Sequence, residues 1–172
     1  TAGLPFERKG ILDLAKIAEE LPYYKFFWFG ASSIKNILPA KIRKIIKKKK
    51  KNLVFPGFVD QEILLGAYSS ADLFFFPTYE ENEGIVILEA LAMDLPILIR
   101  DIPVYEDWLT DKVNCFKGKN NQEFKEKIIE MTENKNTDIS SNARTVIEER
   151  QIKKKKKKYK DYYEHILKKS RV

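Results

Sequence analysis

The chain has 172 residues, of which 44% are hydrophobic, and it carries a formal net charge of +7. The hydrophobic share is sufficient for a folded core and excludes a disordered tail, while the positive balance permits anionic partners without choosing among them. A single cysteine, Cys115, excludes an intrachain disulfide, and a single histidine, His165, excludes a Cys/His metal cluster. No stretch reaches the roughly 18–20 apolar residues of a membrane span, and no signal peptide is recognisable. Because the chain opens on Thr1 rather than Met, we expect it to be part of a longer protein.

Short apolar runs alternate along the chain with longer segments of helical spacing. In chain order, the first half predicts a helix over residues 11–21, a strand over 25–29, a helix over 39–51, a strand over 52–57, and a helix over 60–70 with Asp60 as its N-cap. The second half predicts a strand over 72–77, a helix over 85–93, strands over 96–100 and 114–116, and helices over 123–132 and 140 to about 168. This alternation is typical of β-α-β units, so we predict one α/β domain with a parallel sheet and helices on both faces. In such sheets ligands bind beyond the carboxyl ends of the strands, where we expect the functional residues.

The segment from Pro77 to Glu89 carries the clearest chemical pattern. A strand ends at Pro77, an acidic loop follows, and Gly84 introduces a helix. The backbone N–H groups of Gly84, Ile85 and Val86 are expected at the N-terminus of that helix. There they and the helix dipole favour an anion such as phosphate.

Two carboxylates flank this predicted anion site, Glu81 in the loop and Glu89 in the helix. They would repel phosphate alone, but they suit a nucleotide sugar. The backbone amides take its diphosphate, while ribose and sugar hydroxyls donate hydrogen bonds to the carboxylates. The alternative is an acidic surface loop followed by an ordinary glutamate on a helix surface, and the spacing alone leaves both interpretations open.

Four motifs in order favour the first interpretation. Glu81 and Glu89, with seven residues between them, are followed by Ala-Leu-Ala and then Pro96, and resemble the E-x7-E signature of retaining family 4 glycosyltransferases. Further segments resemble other motifs of that family: residues 8–10 (Arg-Lys-Gly), 55–59 (Phe-Pro-Gly-Phe-Val) together with 64–72, and 114–116 (Asn-Cys-Phe).

The resemblance implies a GT-B fold, in which two Rossmann-like domains face one another. Residues 1–172 then form the C-terminal, nucleotide-sugar-binding domain, and an N-terminal acceptor domain is the expected partner outside this chain. The resemblance also implies that no metal or cofactor is required, because the nucleotide sugar is a substrate.

The resemblance further implies roles for individual residues. Glu89 binds the ribose hydroxyls, Glu81 contacts hydroxyls of the transferred sugar, and the amides of Gly84, Ile85 and Val86 hold the phosphates. The basic pair at positions 8 and 9 then neutralises the diphosphate as it leaves, which is an electrostatic role.

Lys9 and Arg8 form this basic pair. The resemblance also implies that the backbone at Phe58 and Val59, in another loop, is the candidate uracil pocket.

Two positions depart from the family pattern. The arginine that commonly follows Gly3 is absent, a role we expect Arg8 to fill. Asp94 stands where the family has glycine, and aspartate tolerates the left-handed conformation of such a turn.

Residues 79–89 and 100–109 resemble a narrower group, the diacylglycerol glucosyltransferases of Gram-positive bacteria and mollicutes. That resemblance implies transfer of glucose from UDP-glucose to diacylglycerol, by a cytoplasmic protein bound peripherally at the inner face of the plasma membrane. The second hypothesis within this class is a glycosyltransferase of capsular or lipopolysaccharide synthesis.

Two lysine runs contribute much of the positive charge: Lys47–Lys51, which we expect to be solvated, and Lys153–Lys158. The second either binds an anionic membrane surface or forms a solvated face of the last helix, and the sequence leaves both open. A basic nucleic-acid-binding module is the alternative from another class of protein. No recognition motif or stacking platform accompanies the lysines, so no nucleic acid is expected as a partner. A membrane-surface adaptor that uses the terminal lysines is the third hypothesis.

Overall fold

The structure is a computed structural model that describes residues 1–31, 38–48, 50–133 and 140–150. Its helices are α1 (Ile11–Glu20), α2 (Ala40–Lys47), α3 (Gln61–Ser70), α4 (Ile85–Ala92), α5 (Asn121–Glu133) and α6 (Ser140–Arg150). Its strands are β1 (Phe26–Phe29), β2 (Leu53–Gly57), β3 (Phe74–Phe76), β4 (Ile97–Arg100) and β5 (Phe116–Gly118). Short 3-10 turns lie at Glu7–Lys9 and Pro103–Tyr105.

Every strand pair of these elements is parallel. One group has the order β1-β2 and the other the order β3-β4-β5. Ala2 forms a parallel bridge with Phe29, on the edge of β1 opposite β2. The chain therefore proceeds outward from Ala2 to β1 and β2, and then builds β3, β4 and β5 as a second group. The predicted parallel α/β fold is confirmed, although the hydrogen bonds of the described residues form two groups of strands instead of one continuous sheet.

Helices cover both faces of the strands, as predicted. Successive side chains of a strand point to opposite faces, and β3 illustrates this directly. Phe75 packs in a cluster with α1, α2 and α5, whereas Phe74 and Phe76 pack in a second cluster with α3, α4 and α6. Strands β3 and β4 are buried along their whole length, which explains why they consist of continuous apolar runs.

The last strand begins two residues later than predicted. Asn114 lies in a turn instead of a strand, because its side chain serves the backbone of the preceding segment. Its Oδ1 accepts from the amide of Thr110 at 2.8 Å and its Nδ2 donates to the carbonyl of Trp108 at 3.1 Å. The predicted bounds of this strand, residues 114–116, are therefore wrong, and β5 covers Phe116–Gly118.

Other expectations differ in detail. Asp60 occupies the N-cap position of α3, but its side chain makes no capping hydrogen bond. Helix α2 ends at Lys47, four residues before the predicted end. Lys50 is not simply solvated, since its ammonium donates to the carbonyl of Ala15 and to Glu19. Helix α6 is described as far as Arg150, and Lys153–Lys158 lie outside the described residues. Within the described part of the chain, no helix has the length and apolar character needed to cross a bilayer.

Candidate functional site

Two loops meet at the carboxyl edge of the strands, between the two strand groups. The first follows Ala2 and the second follows β3. The amide of Tyr79 donates to the carbonyl of Arg8 at 2.7 Å. The buried hydroxyl of Thr78 donates to the carbonyl of Glu80 at 2.7 Å and lies 3.2 Å from the carbonyl oxygen of Arg8. This is the place where the strand order changes direction, which is the expected position of a ligand site in a parallel α/β fold.

Gly10 permits the close approach of these loops. It has a positive φ of 77°, and a Cβ atom there would lie 2.3 Å from the carbonyl oxygen of Pro77. No side chain fits at that distance. The Lys9-Gly10 pair of the sequence motif therefore has a structural reason: glycine lets the first loop lie against the second, which brings Lys9 next to the acidic loop.

Lys9 and Glu81 form an ion pair across these loops. Their side chains are 13% and 14% exposed, and the Lys9 ammonium also lies 5.5 Å from the ring centre of Phe76. The structure thus brings together two residues that the sequence motifs place 72 positions apart. A lysine ammonium has three donors, so Lys9 can donate to Glu81 and also to an anion that reaches the same loops.

The N-terminus of α4 lies in the same region. Gly84 is its N-cap, with a positive φ of 69° that suits glycine. It has no side chain to cap the helix, so the first-turn amides of Ile85 and Val86 are not covered by an N-cap side chain. Ile85 is exposed and Val86 is half-buried. The helix N-terminus that the sequence predicts as an anion site therefore lies next to the lysine–carboxylate pair.

Glu89 lies further along α4 and has a different partner from Glu81. Its Oε2 accepts a hydrogen bond from the hydroxyl of Tyr68 on α3, at 3.3 Å. Burial, followed by the charge of Glu89, raises the pKa of Tyr68, so the phenol keeps its proton and remains a donor. The two carboxylates of the E-x7-E pattern are therefore held separately, one by a lysine and the other by a tyrosine.

The other predicted residues are more exposed. Arg8 is exposed, with its guanidinium 5.9 Å from the ring centre of Phe6, and it is not part of the Lys9–Glu81 ion pair. Phe58 is 60% exposed and Val59 is half-buried, and both follow β2 at the same edge of the fold. These positions suit a ligand that extends along the edge.

Sequence reasoning missed Arg100, the last residue of β4. It is only 6% exposed. Its guanidinium donates to the carbonyls of Pro77 at 3.1 Å and Lys119 at 2.8 Å, and to the carboxylate of Asp13 at 3.1 Å. A single arginine that ends an apolar strand was the available signal, because a buried charge requires several partners.

Tyr105 packs against the start of α4, where its ring lies 3.4 Å from the position a Cβ atom would take at Gly84. The ring is fully buried in the cluster that contains α4. Burial, followed by the charge of Glu81, raises the pKa of Tyr105, so its phenol is neutral. Among the described residues its hydroxyl has no hydrogen-bond partner. In the same part of the chain, no three histidine, cysteine or carboxylate side chains group as a metal site requires.

The fold and site together define a class of protein. A parallel α/β fold that places a lysine–carboxylate pair and an open helix N-terminus at its switch point belongs with the nucleotide- and phosphate-binding domains. The comparison with family models gives the family. This chain belongs to the glycosyl transferases group 1 family, whose model matches residues 6–159. The resemblance derived from the sequence motifs is confirmed.

Two curated relatives are similar over most of this chain. The processive diacylglycerol alpha-glucosyltransferase of Acholeplasma laidlawii is 45% identical over 166 residues, which cover 96% of this chain and 50% of that protein. The alpha-galactosylglucosyldiacylglycerol synthase of Streptococcus pneumoniae is 37% identical over 135 residues, which cover 77% of this chain and 36% of that protein. The chain thus spans half or less of the length of these relatives.

Solved structures share the fold at low sequence identity. A glycosyltransferase from Rickettsia africae matches with a TM-score of 0.78 and 20% identity, over 93% of this chain and 45% of that one. The pneumococcal O-GlcNAc transferase, in complex with UDP and GlcNAc, matches with a TM-score of 0.72 and 19% identity, over 96% of this chain and 35% of that one. The expected fold class, one half of a GT-B architecture, is confirmed.

Proposed function

We propose that this chain is the donor-binding domain of a retaining glycosyltransferase that transfers glucose from UDP-glucose to 1,2-diacylglycerol. The observation that carries the proposal is the grouping of the Lys9–Glu81 pair with the N-terminus of α4 at the switch point. The identity to a protein named as a diacylglycerol glucosyltransferase supports the choice of sugar and acceptor.

The donor diphosphate binds between the Lys9 ammonium and the first-turn amides of α4. A helix N-terminus favours an anion, and a lysine favours it further. Negative charge grows on the diphosphate as its bond to the sugar breaks, so Lys9 stabilises the transition state more than the ground state. Arg8, exposed on the same loop, supplies a second positive charge at the entrance.

The two glutamates read the hydroxyl groups of the donor. Lys9 pairs with Glu81 in the structure, so a diphosphate that takes the lysine leaves the Glu81 carboxylate to accept hydroxyls of the sugar. Glu89 uses Oε2 for Tyr68, and its other oxygen can accept a ribose hydroxyl. The uracil then extends toward Phe58 and Val59, where an exposed aromatic ring follows β2.

The first test is calorimetric titration of the chain with UDP and then with UDP-glucose. We expect saturable binding that is lost in Glu89→Ala, because the variant removes the ribose acceptor. Glu149→Ala is the matched control, since Glu149 is an exposed glutamate on α6. Circular dichroism of each variant verifies the fold. If Glu89→Ala binds UDP as tightly as the parent chain, the donor-site proposal is wrong.

Tests of the acceptor, of an N-terminal domain and of the location require a protein that includes the domain proposed here. We propose that an N-terminal domain completes the acceptor site and that the protein binds peripherally at the inner face of the plasma membrane. Lys153–Lys158 would add attraction to anionic lipid. Full-length protein, UDP-glucose and diacylglycerol in vesicles should yield glucosyldiacylglycerol with the α configuration retained. Product on a capsular or lipopolysaccharide intermediate instead would move the assignment to the second hypothesis.

A further inference from the structure

Arg100 has a set of partners that the proposed chemistry does not use. A charged side chain this deeply buried is costly unless each donor is paired. Nε, Nη1 and Nη2 of Arg100 each bond to a different acceptor, on Pro77, Lys119 and Asp13 respectively. The guanidinium also lies 3.8 Å from the ring centre of Tyr79. These partners come from three separate segments, two of which build the candidate donor site.

The contacts with Pro77 and Tyr79 fix the start of the acidic loop. Pro77 is the first residue after β3, and Tyr79 lies two residues before Glu81. The amide of Tyr79 in turn donates to the carbonyl of Arg8. A continuous chain of contacts thus runs from Arg100 through Tyr79 to Arg8 and so to the backbone next to Lys9.

The contact with Asp13 fixes the other loop. Asp13 lies in the first turn of α1, three residues after Gly10, and its carboxylate accepts a hydrogen bond from the guanidinium of Arg100 at 3.1 Å. Burial, followed by the Asp13 carboxylate, raises the pKa of Tyr79, so this phenol stays neutral. Arg100 therefore links Asp13, in the first turn of α1, to the ring of Tyr79 in the acidic loop.

We propose that Arg100 is a positioning residue for the donor diphosphate, which holds the loops of Lys9 and Glu81 at the spacing that the donor requires. This inference rests on the proposed function. We expect Arg100 not to touch the donor, because its side chain is 7% exposed and three of its five N–H donors are bonded to the protein. Lysine cannot replace it, since a single ammonium cannot reproduce three bonds in the plane of a guanidinium.

The test is a double-mutant cycle on UDP binding by the chain, with Arg100→Lys and Lys9→Ala. We expect Arg100→Lys to weaken UDP binding roughly tenfold in the parent and to have little further effect once Lys9 is alanine. The Tyr68→Phe background alters the Glu89 end of the site. There we expect Arg100→Lys still to weaken UDP binding roughly tenfold. If Arg100 had only a structural role, Arg100→Lys would weaken UDP binding by the same factor in the parent and in the Lys9→Ala background.

The outcomes separate this inference from the proposed function. If the parent chain does not bind UDP, the proposed function fails first. If the parent binds UDP but Arg100→Lys binds equally well, or loses the same factor in the Lys9→Ala background, the positioning role is wrong. Thermal unfolding shows whether Arg100→Lys is folded. If it is not, Asp13→Asn replaces it in the cycle, because that change weakens the contact with Arg100 while leaving the arginine in place.

Discussion

The two ends of α4 are built alike but differ in what they can do. At its N-terminus, Gly84 has a positive φ of 69°, and the neighbouring Lys9–Glu81 ion pair has side chains 13% and 14% exposed. Just past its C-terminus, Asp94 has a positive φ of 54° and forms an ion pair with Arg144, whose side chains are 45% and 68% exposed.

The difference shows that contact geometry does not by itself identify a functional ion pair. The Asp94–Arg144 pair has two good hydrogen bonds, at 3.0 and 2.8 Å. It lies in water, however, where such pairs contribute little. The Lys9–Glu81 pair lies at the carboxyl edge of the strands and is mostly withdrawn from solvent. When a diphosphate replaces Glu81 as the partner of Lys9, the electrostatic interaction energy therefore changes much more than it would at the exposed pair.

The largest effect on donor binding is therefore expected at the N-terminal end. Lys9→Met keeps the length of the side chain but removes the ammonium, which leaves Glu81 without its cation and the diphosphate without a charge-assisted donor. Such a bond is worth about 1.5–3 kcal/mol, so UDP binding should weaken roughly 10- to 100-fold in a calorimetric titration.

The matched control lies at the other end of the same helix. Arg144→Met removes one positive charge from an exposed ion pair, so it should leave UDP binding unchanged. Equal losses in the two variants would mean that net charge, and not the site, governs binding.

A smaller effect on donor binding is expected from a change at the partner of Glu89, in the middle of α4. Tyr68→Phe removes the hydroxyl that donates to Glu89, and a net hydrogen bond of about 0.5–1.5 kcal/mol corresponds to a roughly 2- to 10-fold loss of UDP affinity. Because the pKa of Tyr68 is raised above its ordinary value, the phenol is neutral through the usual assay range, and the loss should not vary between about pH 6 and about pH 9.

Tyr24→Phe is the control for this prediction, because Tyr24 also donates to a glutamate, Glu133, at the far end of the fold. It should leave UDP affinity unchanged. If Tyr68→Phe behaves in the same way, Tyr68 does not hold Glu89 for the donor.

The residues that the sequence could predict are those with local signals. Glu81 and Gly84 lie in the loop after β3, Lys9 lies in the loop after Ala2, and the order of their motifs can be taken directly from the sequence. The left-handed turn expected at Asp94 is confirmed by its φ of 54°. These features depend on a few neighbouring residues and on the general rule for parallel sheets.

The contacts that the sequence could not predict depend on packing between distant segments. Arg100 meets Asp13 across 87 positions, and Tyr68 meets Glu89 across two helices. The start of β5 also escaped prediction, because Asn114 has strand-like neighbours but its side chain bonds to the turn before it. Such competition between side-chain and strand hydrogen bonds is not visible in hydrophobic spacing.

The smallest effect, on thermal stability and not on donor binding, is expected from a change at Asp94. Asp94→Gly removes the ion pair but introduces the residue that best tolerates a positive φ, so the two changes oppose each other and Tm should shift by on the order of 1 °C. Hydrogen bonds from Arg144 lower the pKa of Asp94. The stabilisation by Asp94 is therefore complete above its ordinary pKa of about 3.9 and is lost as the pH falls through the lower value in the folded chain. Thermal unfolding from about pH 7 to about pH 2 should show the parent losing stability relative to Asp94→Gly only in that acidic range. A difference that stays constant with pH would mean that the left-handed turn, and not the ion pair, distinguishes the C-terminal end of α4 from its N-terminal end.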